Sequence, residues 1–160
     1  MLVHPKLNRT NVRTAEELLV AVQSCWQECD TGVFSAAVAD FRPAKSSSTK
    51  IKKGTAEETI KLIQNPDILK WASFHRNNKQ KVIGFALETN NEQENALLKL
   101  ERKNLDLIVL NSTQDEGATF GGEKNKVTIF GREGLVIDLK LQDKFDIAVN
   151  LIDTIEKIDA

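Results

Sequence analysis

A chain of 160 residues carrying a net charge of −1 has room for one hydrophobic core and no global field for binding nucleic acid or an anionic membrane. Apolar residues make up 41% and charged residues 28%, the balance of a folded soluble domain rather than of a disordered segment. No apolar run approaches the length of a membrane span, the first residues lack the apolar stretch of a secretory signal, and the cytoplasm is the expected compartment.

Thr14 followed by Glu17 reads as a capping box, and Leu18, Leu19, Val22 and Trp26 follow at helical spacing, so a helix is expected over 14–28. Cys25 and Cys29 share one face of that helix. A disulfide between them would oppose helix geometry, and His4 and His75 are the only histidines for a zinc site. Reduced thiols in or near the core are therefore expected. Gly32 closes the unit, and the apolar run 33–38 reads as a strand buried on both faces.

A polar stretch, 43–49, reads as a loop. Lys50-Ile51-Lys52-Lys53 and residues 58–63 flank Gly54 and alternate as a basic β-hairpin arm would. Asn65-Pro66-Asp67 is a turn opening a helix that runs to about His75. A strand over 81–87, a helix over 92–103, a strand over 107–111, a hairpin from 126–130 and 135–139, and a helix over 144–158 complete the series. Strands alternating with helices imply an α/β, Rossmann-like three-layer domain: a mostly parallel sheet with an antiparallel hairpin edge and the basic arm.

In such sheets ligands sit at the carboxyl ends of strands. Those ends carry Asp40 and Arg42, Glu88-Thr89-Asn90 and Asn111. Lys99 and Lys103 lie one helical turn apart, a spacing that suits two successive phosphates and equally an ordinary solvated pair. Lys50 and Lys52 share a strand face that reaches a polyanion or discourages edge aggregation. Asp40 suits a magnesium ion, a ribose hydroxyl or a turn. There is no glycine-rich phosphate loop; Gly121-Gly122 stands alone late in the chain and reads as a turn. From the residues alone, the reading stops at a nucleotide-sized anion site.

Five ordered blocks resemble the phosphopantothenoylcysteine synthetase family: Ser35-Ala36-Ala37-Val38-Ala39-Asp40-Phe41-Arg42-Pro43; Lys50-Ile51-Lys52-Lys53; Lys61-Leu62-Ile63-Gln64-Asn65-Pro66-Asp67-Ile68-Leu69; Gly84-Phe85-Ala86-Leu87-Glu88-Thr89-Asn90; and Lys99 and Lys103 with Asn104-Leu105-Asp106. Ile108-Val109-Leu110-Asn111 and Phe120-Gly121 with Asn125-Lys126-Val127 extend the similarity. The resemblance implies a single synthetase domain over 1–160, of the DNA/pantothenate metabolism flavoprotein C-terminal type, without the family's N-terminal glycine-rich segment. It implies a ligase of coenzyme A biosynthesis that joins 4′-phosphopantothenate to cysteine through an acyl-cytidylate made with CTP and Mg2+. No flavin is expected in the chain; a fused or associated flavin-dependent decarboxylase domain is an implied partner. The other class considered is a noncatalytic dimerisation fragment with a defective pocket.

Carried over residue by residue, the resemblance places the nucleotide against Phe34, Ser35, Ala36, Asp40, Lys50, Asn65, Pro66, Asp67, Ile68, Phe85, Lys99 and Lys103. Asp40 is the implied metal contact. Lys50 is the implied catalytic residue, on an arm that closes over the partner subunit's site in a homodimer. Leu87 and Leu110, bulkier than the family's usual alanine, are expected to narrow the pocket or repack it.

Overall fold

The computed structural model describes residues 4–45, 47, 49–50, 59–88, 90–112 and 122–158. Their centre is a five-stranded sheet in the order β1 (Thr31–Phe34), β4 (Lys81–Glu88), β5 (Leu107–Ser112), β6 (Lys124–Gly131) and β7 (Val136–Asp143). β1, β4 and β5 are parallel, while β6 and β7 form an antiparallel hairpin at one edge. β2 (Phe41–Pro43) and β3 (Leu62–Gln64) form a separate two-stranded antiparallel ladder. The α/β class, the parallel strands with a hairpin edge and the small antiparallel ladder agree with the sequence reading. The arm expected over 50–53 and 58–63 is seen only at its base, because residues 51–58 lie outside the described residues.

Alternation along the central strands divides the core between two faces. Val82, Ala86, Ile108 and Leu110 point to one side and pack with Trp26, Ala72, Ala96, Leu100 and Leu105 beneath α1 (Ala15–Cys25), α2 (Ile68–Phe74) and α3 (Glu92–Arg102). Ile83, Leu107, Val109, Val127 and Ile129 point to the other side and meet Ile147, Leu151 and Ile155 of α4 (Lys144–Lys157). Three layers result.

Helix ends follow local chemistry. Thr14 Oγ1 accepts from the Glu17 N–H at 3.1 Å, and Glu17 Oε2 reaches back to the Arg13 N–H at 2.7 Å, a capping box displaced by one residue at its return bond. α1 stops at Cys25 and tightens into a 3-10 turn, Trp26–Glu28, so the single helix expected over 14–28 divides in two. α3 ends with Asn104 at φ 51°, where the Leu105 N–H bonds the Leu100 carbonyl at 2.9 Å and the Asn104 N–H bonds that of Glu101 at 3.0 Å. That paired closure buries Leu105 and fixes the last turn of α3, which carries Lys99 and Lys103. Asp106 then accepts from the Val82 N–H at 2.7 Å and pairs with Arg76, locking the α3–β5 turn to the start of β4.

One strand differs from expectation. β1 covers 31–34 rather than 33–38, and it is only partly buried. It has a single neighbour, β4, and Gly32 lies within the strand instead of ending the preceding unit. A Cβ at Gly32 would lie 2.6 Å from Trp26 Cζ3 and 2.8 Å from Phe34 Cε2, so glycine is what lets the Trp26 ring lie against the strand. Among the described residues no helix is long and apolar enough to cross a membrane.

A candidate anion-binding cavity

The register of β1 against β4 creates the site. Phe34 is opposite Gly84, so β1 ends there while β4 continues to Glu88. Beyond Phe34 the chain leaves the sheet, and a cavity of about 930 Å3 opens beside β4. Its volume is within the range of small-molecule sites. Leu18, Val22 and Trp26 form one wall, the start of α2 another, and Phe85 with the two α3 lysines a third.

Of the residues singled out from sequence, Phe34, Ser35, Ala36, Asp40, Asn65, Pro66, Asp67, Ile68, Phe85, Lys99 and Lys103 all line this one cavity. Lys50 does not; it is exposed and outside the lining, and Lys52 and Lys53 lie outside the described residues. Nor do the later strand ends contribute. Asn111 accepts a hydrogen bond from Asn125 at 2.7 Å away from the cavity, Leu110 is buried in the core, and Leu87 is exposed. Neither leucine lines the cavity. The cleft forms at the end of β1, the shortest of the three parallel strands, because β4 runs on past Phe34 with no β1 partner.

Lys99 and Lys103 supply the field. Lys99 Nζ donates to the Phe85 carbonyl at 3.3 Å, and Lys103 Nζ lies 2.8 Å from Asp67 Oδ2. Burial lowers the Lys99 pKa and the neighbouring Lys103 charge lowers it further, against the pull of Glu88, Asp67 and Asp40. For Asp67, burial acts to raise the carboxyl, but the Lys103 hydrogen bond and the Lys70 N–H outweigh it and hold the group below the usual carboxylate range. Asp67 also caps α2, its Oδ1 accepting from the Lys70 N–H at 3.0 Å. The Lys70 N–H is thus engaged within the helix start. Asp40 stands across from Lys99, and among the described residues no group of three or more His, Cys, Asp or Glu is arranged to hold a metal.

Asn65 is structural as well as lining. Its N–H bonds the Asp40 carbonyl at 2.8 Å, its amide donates to the Ala39 carbonyl at 2.7 Å, and its Oδ1 accepts from Arg42 at 3.1 Å. Arg42 also bonds the Gln64 carbonyl at 2.7 Å and pairs with Glu16 of α1. This network ties 39–42 to the start of α2 and to α1, so Asp40 and Asp67 are held by the same clamp. The wall from α1, including Cys25 and Cys29, was not anticipated as part of the site. Its signal was present in the helical stripe Leu18, Val22 and Trp26, which reads as core until a cavity interrupts the packing.

The folded-state pKa of Asp67 lies below its unfolded value, so its contribution to stability is present above the ordinary carboxylate range and is lost as pH falls through the lowered value. Asp67→Asn keeps a capping oxygen and removes the charge. Urea unfolding should show a deficit of up to about 1 kcal/mol near pH 7, limited by solvent screening of a partly exposed pair, which closes in acid.

The chain matches the family model described as DNA/pantothenate metabolism flavoprotein C-terminal domain over residues 1–158. It is 42% identical over 146 residues to a cysteine/cysteine sulfinic acid decarboxylase from an unknown prokaryotic organism, covering 91% of this chain and 41% of that protein. It is 38% identical over 130 residues to the coenzyme A biosynthesis bifunctional protein CoaBC of Vibrio vulnificus (strain CMCP6), covering 80% of this chain and 32% of the relative. A crystal structure of the C-terminal domain of a CoaBC protein superposes with a TM-score of 0.74 at 35% identity, over 92% of this chain and 63% of that one. The chain thus spans 41% and 32% of the lengths of these two curated relatives.

These findings correct the assignment taken from the sequence. The family description names a flavoprotein and the first relative is named a decarboxylase; neither names a CTP-dependent synthetase. The ligase activity, the CTP and Mg2+ requirement, the implied ligase substrates and the expectation of no flavin in the chain are withdrawn, while the link to coenzyme A biosynthesis stands in the relatives' names. The reason lies in the blocks themselves: paired lysines, a nearby carboxylate and a capped helix suit an anion without specifying the reaction performed on its carrier. With 1–158 matched, the chain belongs to the DNA/pantothenate metabolism flavoprotein C-terminal domain family.

Proposed function

We propose that this chain binds a phosphate-bearing ligand in the cavity beside β4, as one part of a decarboxylase-type enzyme of coenzyme A biosynthesis. The observation that carries the reading is the convergence of Lys99 and Lys103 on a cavity they share with Phe34 and Phe85. A buried ammonium beside a second ammonium is under repulsive stress, which an anion between them relieves. Asp67 offsets part of that stress and is displaced from Lys103 when a stronger anion enters. The names of the relatives supply the enzyme class and pathway of the reading.

The family's flavoprotein description raises the question of a flavin. The cavity suits its phosphate end, with two ammonium groups within reach. The ring needs donors and acceptors along its polar edge; of the polar lining, Asn65 and Asp67 are committed to Ala39, Arg42, Lys70 and Lys103, while Ser35, Asp40 and Gln64 also line the cavity. The lysine pair fits a phosphate, and the reading takes no redox step. A homodimer through the ladder is part of the same proposal, supported by the exposed Phe41, Leu62 and Ile63 on β2 and β3.

Calorimetric titration with inorganic pyrophosphate should show saturable binding that weakens with added salt. Lys99→Ala or Lys103→Ala should each reduce affinity by roughly 10- to 100-fold, the worth of one charge-assisted contact. Because the Lys99 pKa is lowered, affinity should begin to fall at a pH below that at which ordinary lysines lose their charge. A folded sample that takes up no pyrophosphate at millimolar concentration overturns the reading. Sedimentation at the same concentrations should give twice the chain mass; a monomer removes the dimer and leaves the binding proposal intact.

A further inference from the structure

The thiol pair at the far end of the cavity is arranged differently from a pair on a continuous helix. Cys25 is the last residue of α1, with φ −115° and ψ −9°, and Cys29 follows the 3-10 turn in extended backbone, φ −98° and ψ 139°. Both thiols are free, Cys25 is exposed and both line the cavity. Cys29 Sγ donates to the Cys25 carbonyl at 3.3 Å, and Cys25 Sγ donates to the Ala21 and Val22 carbonyls at 3.4 and 3.6 Å. The helical constraint that opposes a bond between positions four apart is therefore absent at one of its two ends.

What lies between them matters. Trp26 is 2% exposed, meets Phe34 edge-on with ring centroids 6.1 Å apart, and closes over Gly32. Its indole N–H has no acceptor among the described residues, so ring packing alone positions it. The Cys29 end of the turn is clamped, because the buried Gln80 amide donates to the carbonyls of Trp26 at 2.5 Å and of Cys29 at 2.8 Å. The Lys81 N–H adds a bond to the Asp30 carbonyl at 2.9 Å. The main chain of the turn is thus held at both Trp26 and Cys29, whereas the Trp26 ring is held only by packing, so a shorter distance between the sulfurs is absorbed by the side chains around them.

We propose that Cys25 and Cys29 form a redox-sensitive pair that closes to a disulfide under peroxide and thereby displaces Trp26 and Phe34 at the wall of the cavity. The exposed Cys25, as thiolate, attacks one peroxide oxygen; the O–O bond breaks, giving a sulfenic acid and hydroxide, which takes up the proton released by the thiol to become water. The Cys29 sulfur then attacks that sulfur, the S–O bond breaks, and a second water leaves. Two thiols lose two hydrogens and two electrons, and one peroxide becomes two waters. A thiol reductant reverses the step by exchange. Burial and the neighbouring Cys25, with Glu28 and Asp30, raise the Cys29 thiol pKa, consistent with Cys25 attacking first and Cys29 resolving.

The test uses the full chain carrying Trp71→Phe, so that Trp26 is the sole indole. Brief hydrogen peroxide treatment should remove two hydrogen masses from the peptide holding both cysteines, protect both from iodoacetamide, and change Trp26 emission. Dithiothreitol should restore all three, and Cys25→Ser or Cys29→Ser should abolish the mass loss. Two alkylatable thiols after peroxide, crosslinks only between chains, or a disulfide that leaves Trp26 emission unchanged would each overturn the proposal. A further arm, weaker pyrophosphate binding after oxidation, rests on the reading of the cavity. The mass and fluorescence arms do not, so a failure of that reading remains distinguishable from a failure of the thiol pair.

Discussion

Two ammonium groups of the same sign are kept side by side at the wall of a cavity, and much of the surrounding structure can be understood as what keeps them there. Repulsion between Lys99 and Lys103, added to the burial of Lys99, costs stability unless something nearby compensates. The Phe85 carbonyl takes one donor and the Asp67 carboxylate takes the other. Neither compensation is complete, since the Lys99 pKa remains lowered. A fold that tolerates this arrangement has positioned a charge that an incoming anion can neutralise, at the expense of a less stable unliganded state.

The backbone makes the arrangement rigid at both ends. The closure of α3 through Asn104 and Leu105 sets the height of Lys103 on its helix, and Asp106 ties the same turn to β4, whose Phe85 carbonyl receives Lys99. On the opposite wall Asn65 and Arg42 gather the chain around Asp40 and the start of α2, so that Asp67 reaches Lys103. The empty space between these walls arises because β1 ends at Phe34 while β4 continues to Glu88. Exchange of two thiols for a disulfide at the turn around Trp26 would act on the wall formed by Leu18, Val22 and Trp26, where packing alone positions the indole ring.

The sequence carried the central strands, the helix starts and most of the cavity lining, for identifiable reasons. Val82 to Leu87 and Leu107 to Leu110 are apolar enough to be buried on both faces, and Asp67 is a recognisable cap. The apolar run 33–38 looks like a buried strand, whereas the chain leaves the sheet after Phe34 although β4 continues beside it to Glu88. Register against β4 is a tertiary property, invisible in local pattern. The same limit applies to Cys25 and Cys29: periodicity continues through Trp26, so the break from α-helix to 3-10 turn that changes their geometry leaves no mark in the spacing. Enzyme class was the least legible part. The residues that bind phosphate recur wherever a phosphorylated ligand is held, so a resemblance resting on them pointed to a reaction that the relatives' names do not support.

The charge state of Lys99 is the most direct observable of the electrostatic stress in the cavity. Titration of lysine side chains by NMR, with Lys99 assigned through Lys99→Arg, should show it losing its proton at lower pH than exposed lysines such as Lys79, and moving back toward the ordinary range when inorganic pyrophosphate is added. If Lys99 instead titrates with the exposed lysines, and pyrophosphate leaves it unchanged, the cavity holds no stress for an anion to relieve and the proposed binding site loses its physical basis.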